Sequence, residues 1–128
     1  MTRHAIVTQE APTSPSYSQA VVAGDLVFVS GTVGRDMESG TWPDGVEAQC
    51  RQALKNLAAV LGESHATLGD VVKATVWLTD PAHGAQIANA WAEAFPSPPP
   101  ARSAPVISGF PIPEALISIE AIALRRAG

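Results

Sequence analysis

The sequence is poor in charged residues, has a single cysteine and contains no long apolar run. Only 16% of its 128 residues are charged, and the formal net charge at pH 7 is −4. It has no basic cluster and no basic stripe interleaved with aromatic residues. Nucleic acid is therefore disfavoured as the main ligand, because phosphate binding needs concentrated positive charge. The one cysteine, Cys50, excludes a disulfide within the chain and indicates a reducing compartment.

Segments that would direct the chain to a membrane are missing as well. No apolar run approaches the roughly 20 residues that a membrane-spanning helix needs. Residues 1–9 lack the apolar core of a signal peptide. We therefore expect a cytoplasmic protein without a membrane partner. The hydrophobic share of 46% and the length are typical of one globular domain, residues 1–128.

Strand and helix signals along the chain predict an α+β fold. Alternating apolar residues and turn signals predict strands over residues 4–8, 18–23, 26–31, 71–79, 103–108 and 115–124. Gly24 and Asp25 form a tight-turn signal that makes the second and third of these a hairpin. We expect a mixed β-sheet with two helices packed on one face.

The two helices are placed by their end signals. Asp44, with Glu47 three residues later, predicts an acidic capping box at the start of the first helix, and Gly62 is expected to end it. An Asp-Pro pair at residues 80–81 begins the second helix. Cys50 lies on the apolar stripe of the first helix, so we interpret it as a core residue rather than a nucleophile.

The last predicted strand, residues 115–124, indicates an assembly. One of its faces is wholly apolar and should meet the helices. The other face mixes Leu116 and Ile122 with polar residues, and Trp77 on another predicted strand has a similar setting. Two helices cannot cover both faces of one sheet, and an exposed apolar face is uncommon in a monomer. We infer a homo-oligomer in which polar residues between the subunits line a pocket.

A proline-rich stretch, residues 96–103, presents one arginine. Prolines fix φ and exclude a helix, so the stretch should be stiff and extended. Arg102 lies between Ala101 and Ser103, and its planar guanidinium matches a carboxylate with two parallel hydrogen bonds. The stretch thus predicts an anchor for a small carboxylate ligand. The alternative is an ordinary surface arginine, and these residues alone favour that alternative.

The three histidines, His4, His65 and His83, are scattered along the chain. They lack the spacing of metal ligands, such as two histidines one helical turn apart. We expect them on the surface and predict no metal site.

Five segments, taken in order, carry a family resemblance. They are residues 17–20 (YSQA), 24–31 (GDLVFVSG), 71–80 (VVKATVWLTD), 99–103 (PPARS) and 119–123 (IEAIA). Together they resemble the RidA/YjgF family, also called the endoribonuclease L-PSP family. The resemblance implies a chorismate-mutase-like homotrimer with ligand sites in clefts between subunits. It also implies hydrolysis of enamine and imine intermediates of amino-acid breakdown to 2-keto acids and ammonia, with no metal and no cofactor.

The same resemblance implies roles for single residues. Arg102 matches the arginine that grips the substrate carboxylate, which favours the anchor over the surface arginine. Tyr17, Ser30 and Gly31 match positions that face the cleft. Ser103, directly after the arginine, is expected at the same binding site.

The chain departs from the family pattern where the site handles water. Deaminases of this family usually carry a water-positioning glutamate where this chain has Ser118, which leaves Glu120 as the candidate catalytic carboxylate. Glu120 lies about 6.6 Å further along the strand. It either acts through a shifted pocket floor or a second water, or it is paired at a subunit contact. A family asparagine falls on Ala88, with Asn89 one step further, and Ala104 stands where Cys or Thr is common.

Two functions stay open on this basis. The first is an enamine/imine deaminase-type hydrolase of small 2-imino carboxylates, with Arg102 and Glu120 as catalytic residues and Ser118 and Ala104 among the substrate-binding ones. The second is a non-catalytic member of the family that binds a 2-keto acid or a similar small carboxylate metabolite. The ribonuclease activity sometimes attributed to the family fits poorly with the acidic composition.

Overall fold

The structure is a computed structural model that describes residues 2–126. These residues contain six strands and three helices, joined by turns and loops. The strands are β1 (Arg3–Ile6), β2 (Ala20–Ala23), β3 (Leu26–Val33), β4 (Val71–Leu78), β5 (Ala101–Ser103) and β6 (Ile117–Leu124). The helices are α1 (Val46–Glu63), α2 (His83–Gln86) and α3 (Ala88–Ala94), and one 3₁₀ turn, Leu68–Asp70, precedes β4. No helix in this range is long and apolar enough to cross a bilayer.

The strands form one mixed sheet in the order β1-β2-β3-β6-β4-β5. All neighbours are antiparallel except β4 and β5, which are parallel. The predicted hairpin is present. β2 and β3 are paired up to Ala23 and Leu26, the residues on either side of the turn, and Gly24 in that turn has a φ of 61°. The mixed α+β fold is therefore confirmed, and the last strand, β6, lies between β3 and β4.

The core lies between the sheet and α1. This helix packs on β3 and β6 and also contacts α2 and α3. Its residues Cys50, Leu57 and Leu61 belong to one core cluster with Ile117 and Ile119 of β6, and all five have no exposed surface. Cys50 is thus a core residue, as predicted from the apolar stripe.

Both predicted ends of the first helix are wrong. The N-cap is Gly45, whose φ of 84° favours glycine, and this places Asp44 outside the helix with no side-chain cap. Gly62 lies inside the helix, which ends one residue later at Glu63. The residue that takes the left-handed conformation after the helix is His65, with a φ of 59°.

The second helical stretch begins later than predicted and is interrupted. Oδ1 of Asp80 accepts a hydrogen bond from the Ala82 amide at 2.8 Å, which forms a turn, and the first helical residue is His83. The fully buried Ile87 separates α2 from α3.

The strand predicted over residues 103–108 lies earlier in the chain. β5 covers Ala101–Ser103, and afterwards the chain follows the end of β4 through a single bridge between Leu78 and Val106. The Pro105 carbonyl accepts from the Leu78 amide at 3.0 Å, but Pro105 has no N–H to continue a ladder.

The face of the sheet opposite the helices is partly apolar. Phe28 and Leu124 are 43% and 50% exposed there, and Trp77 and Ile122 are half-buried. Leu116 was expected on this face, but it precedes β6 and packs against the core. The chain therefore leaves apolar surface on one side of the sheet.

Candidate functional site

Arg102 lies on the edge strand β5 and points toward the helices. In the parallel register with β4 it stands opposite Ala74, a fully buried residue of the helix-covered face. Paired residues direct their side chains to the same face of a sheet. Cζ of Arg102 accordingly lies 5.0 Å from the ring centroid of Trp91 in α3, which is a cation–π contact. None of the ion pairs among residues 2–126 involves Arg102.

A groove of about 610 Å³ runs beside this arginine. We call it the arginine groove. Its lining includes Ala88, Trp91, Ala92, Phe95, Pro96, Ser97, Pro99, Pro100 and Arg102. Its volume is in the range of small-molecule sites. Among the residues that the structure describes, Arg102 supplies the only charge in the lining, and Ala88 rather than Asn89 belongs to it. The groove can thus take a ligand that is anionic at one end and apolar elsewhere.

A bulge in β3 gathers several of the other predicted site residues. Val29 pairs with Ala121 and Thr32 with Ile119, so Ser30 and Gly31 together stand opposite the single residue Glu120 of β6. A Cβ at Gly31 would lie 2.6 Å from Oγ of Ser118. Glycine at this position therefore lets the Ser118 hydroxyl approach the β3 backbone.

Ser30 ties this bulge to the segment that carries the tyrosine. Its Oγ donates to the Ser18 carbonyl at 2.6 Å, and its amide donates to the Gln19 carbonyl at 2.9 Å. Tyr17, 54% exposed, lines a cavity of about 80 Å³ together with Ser30 and Gly31. We call Tyr17, Ser30, Gly31, Ser118 and Glu120 the bulge cluster.

Gln19 is a residue that the sequence reasoning missed. Its buried amide accepts from the Thr8 amide at 2.7 Å and donates to the carbonyls of Thr8, Ala11 and Pro12. These bonds hold the loop that leads to Tyr17 against the sheet. The sequence feature that could have identified Gln19 is its position as a single amide side chain directly before the apolar strand β2.

Glu120 is bonded within its own chain. Its Oε1 accepts a hydrogen bond from Nε1 of Trp77, on the neighbouring strand β4, at 2.6 Å. This bond fixes one oxygen of the half-buried carboxylate, while Oε2 is left for a second partner. Trp77 was not among the predicted site residues, because its register opposite Ser118 follows only from the strand order.

The predicted site residues fall into two groups in one chain. β3 and β5 are separated by β6 and β4, so the bulge at Ser30 and Arg102 lie roughly 14 Å apart in the sheet. Glu120 points to the open face by alternation, whereas Arg102 points to the helix face. Ser103 pairs with Thr75 and so shares the open face, and Ala104 is exposed beyond the strand. One chain alone does not bring the arginine groove and the bulge cluster face to face.

Other reactive side chains are not arranged for chemistry. Burial raises the pKa of the Cys50 thiol to about 11, which leaves almost no nucleophilic thiolate at neutral pH. His4 and His65 are exposed as expected, but His83 is half-buried and its Nδ1 is enclosed without a hydrogen-bond partner. Over residues 2–126 no three His, Cys, Asp or Glu side chains are grouped as a metal site would require.

The chain is similar to proteins of known sequence and structure. The family model described as Endoribonuclease L-PSP matches residues 8–125. The chain is 39% identical over 123 residues to Reactive Intermediate Deaminase A, chloroplastic, of Arabidopsis thaliana; the match covers 94% of this chain and 65% of the plant protein's length. It is 37% identical over 126 residues to the 2-iminobutanoate/2-iminopropanoate deaminase of Salmonella typhimurium, covering 94% and 97% of the two chains. Its fold matches the crystal structure of RidA from an Antarctic Psychrobacter with a TM-score of 0.89, at 34% identity and over 94% and 98% of the chains.

Proposed function

Because this chain belongs to the RidA/YjgF family, the family of the Endoribonuclease L-PSP model, we propose that it is an imine deaminase. The reaction is hydrolysis of small 2-imino carboxylates, or of the enamines in equilibrium with them, to 2-keto acids and ammonia. The observation that carries the proposal is Arg102, a guanidinium that has no ion pair within residues 2–126 and whose Cζ lies over the Trp91 ring beside an apolar groove. Such a fork of donors suits a ligand with a carboxylate at one end and a carbon chain at the other.

The proposed reaction requires only a few contributions from the protein. Water adds to the carbon of a protonated imine, a C–O bond forms, and the π pair of the C=N bond moves to nitrogen. One proton then passes from oxygen to nitrogen. The C–N bond breaks with its electron pair on the departing ammonia, an oxygen lone pair forms the C=O bond, and the remaining hydroxyl proton passes to water or to the ammonia, which leaves as ammonium. The protein has to hold the carboxylate, place the water and carry the proton from oxygen to nitrogen. We assign the proton to Oε2 of Glu120, since Oε1 is bonded to Trp77.

We also propose that the site is completed between copies, in a chorismate-mutase-like homotrimer. Within one chain, Arg102 and the bulge cluster lie on different faces of the sheet, separated by two intervening strands. The open face carries partly exposed apolar side chains, including Phe28 and Leu124, that a second copy can cover. An edge strand β5 of one copy set against the bulge cluster of the next brings both groups to one ligand.

A binding protein without turnover is the second candidate. Ser118 stands where the family's deaminases usually carry a glutamate, and Trp77 holds one oxygen of the remaining carboxylate, Glu120. These two features favour a site that keeps the carboxylate anchor and has lost the placement of water.

Ammonia release separates the two candidates. The substrate is the imine that an amino-acid oxidase produces in situ, and the spontaneous decay rate is the baseline. We expect the protein to exceed this baseline, and Arg102→Gln to reduce the excess rate at least tenfold, because a charge-assisted bidentate contact is lost. Arg3→Gln, on the opposite edge strand β1, is the matched control and should leave the rate unchanged.

A rate equal to the baseline, together with Arg102-dependent binding of a 2-keto acid, would establish the binding protein instead. In that case Ser118→Glu is expected to restore turnover. Turnover and binding that are both indifferent to Arg102→Gln would overturn the whole proposal.

Mixed oligomers test whether the site is shared. Arg102→Gln and Glu120→Gln each disable one half of every site in their own pure oligomers. After the two variants are mixed and reassembled, about a quarter of the sites combine an intact arginine with an intact carboxylate. Recovery of activity toward that fraction supports the shared site, and no recovery above the separate variants contradicts it.

A further inference from the structure

We propose that the arginine groove selects ligands with a bulky apolar side chain, and so gives this site a preference for branched or aromatic 2-imino carboxylates over small or acidic ones. The inference rests on the proposed function, since it concerns the ligand that Arg102 anchors. It goes beyond that function because it names the substrate class from the groove's own lining.

The α3 side of the groove is apolar and offers room. Ala88 and Ala92 are one helical turn apart and present only methyl groups. Trp91 and Phe95 form the adjoining wall, with ring centroids 4.5 Å apart and planes inclined by 41°. Small residues beside a packed aromatic pair leave space that a ligand's hydrocarbon chain can fill.

Prolines line the other side of the groove. Pro96, Pro99 and Pro100 lack N–H donors and present ring carbons, so this wall is mostly apolar, with the Ser97 side chain as its one hydroxyl. Among residues 2–126, Arg102 is the only charged residue of the lining. A second carboxylate on the ligand, as in an acidic 2-keto acid, finds no second cation along this groove and loses part of its hydration.

The position of Arg102 directs the ligand. Its Cζ lies over the Trp91 ring, and its N–H donors radiate in the guanidinium plane, so a carboxylate binds at the edge of that plane. The remainder of the ligand then extends beside the Trp91 wall. The volume of about 610 Å³ is far more than a three-carbon acid fills. Each further buried methylene is expected to raise the affinity about fourfold.

Calorimetric titration with three stable 2-keto acids tests the preference. The probes are pyruvate, 4-methyl-2-oxopentanoate and 2-oxoglutarate, which share the carboxylate and keto group. We expect 4-methyl-2-oxopentanoate to bind at least tenfold more tightly than pyruvate, and 2-oxoglutarate to bind no better than pyruvate. Ala92→Leu fills the groove and should reduce this ratio at least fivefold with little change for pyruvate. Ala85→Leu is the matched control, because Ala85 is exposed on α2 and does not line the groove.

The outcomes separate this inference from the function on which it rests. Equal affinities for all three acids, each lost in Arg102→Gln, overturn the preference and leave the carboxylate anchor in place. A preference that survives Ala92→Leu unchanged overturns the assignment to this groove. No binding of any acid, or binding indifferent to Arg102→Gln, overturns the preference, whereas the proposed deamination fails only if ammonia release also stays at the baseline or is indifferent to Arg102→Gln.

Discussion

The contact between Gly31 and Ser118 offers a direct test of the geometry at the bulge. A Cβ on Gly31 would lie 2.6 Å from Oγ of Ser118, roughly 0.8 Å shorter than ordinary van der Waals contact. Ser118 is only 7% exposed, so its hydroxyl has little room to move. We expect Gly31→Ala to lower the free energy of unfolding by roughly 1–3 kcal/mol, the usual cost of overpacking a buried site.

A second substitution isolates this contact from other effects of the alanine. Alanine also restricts the unfolded chain, which favours folding by about 0.4–1 kcal/mol, and Gly31 does not have the positive φ that alanine would resist. Ser118→Ala removes the hydroxyl that the new Cβ would meet. In the Ser118→Ala background, Gly31→Ala keeps its entropic gain without this contact and should therefore be neutral or stabilising. The double-mutant cycle should give a coupling of at least about 1 kcal/mol.

Urea denaturation of the wild-type protein, the two single variants and the double variant, followed by tryptophan fluorescence, measures the cycle. Gly109→Ala is the matched control, because a Cβ at Gly109 meets no atom within 4 Å. This control should show the entropic gain alone, a stabilisation of about 0.4–1 kcal/mol. A coupling below about 0.3 kcal/mol between Gly31 and Ser118 would refute the close approach of the Ser118 hydroxyl to the backbone at Gly31. It would also refute the role given to the bulge in holding the bulge cluster together.

Three further predictions concern single groups. Burial raises the pKa of Cys50 to about 11, so a thiol reagent at pH 8 should label it only at the rate of unfolding, and fast labelling of the native protein would contradict this. Burial opposes ionisation of Asp70, but hydrogen bonds from Arg126 and from the amide and hydroxyl of residue 67 outweigh it and lower its pKa. Its stabilising effect, about 0.5–1 kcal/mol against Asp70→Asn in denaturation at pH 7, should vanish as the pH falls from about 3.9 through the lower folded pKa. Trp77→Phe should cost about 1–2 kcal/mol while Glu120 is present and much less after Glu120→Leu, and equal costs in both backgrounds would argue against the bond.

The sequence correctly predicted those elements that depend on residues close together in the chain. The turn at Gly24 gave the hairpin of β2 and β3, and the alternation in β6 correctly assigned Ile117 and Ile119 to the core. The helix ends were missed because they depend on backbone conformation. Gly45 and His65 take positive φ values that neither an Asp at the cap nor a glycine near the end reveals.

Strict alternation also fails where a strand holds an extra residue. Alternation would bury Val72 together with Ala74, but the register between β4 and β6 shifts between Val71 and Lys73. Val71 is consequently buried at 7% exposure and Val72 is 43% exposed. A bulge adds one residue to a pattern whose period is two, and a single sequence does not show where this occurs.

For the candidate site, the sequence likewise identified single residues but not how the fold arranges them in space. The family resemblance named Arg102, Ser30 and Glu120, but it did not say which of them meet. The strand order decides this, because β6 enters between β3 and β4 and sets Glu120 opposite the bulge at Ser30, while the parallel pairing of β5 turns Arg102 to the other face. A carboxylate anchored at Arg102 therefore lies on the far side of the sheet from the Glu120 of its own chain. If these residues act on one ligand, the second half of the site has to come from another copy, which makes assembly a condition of the activity rather than an accompaniment to it.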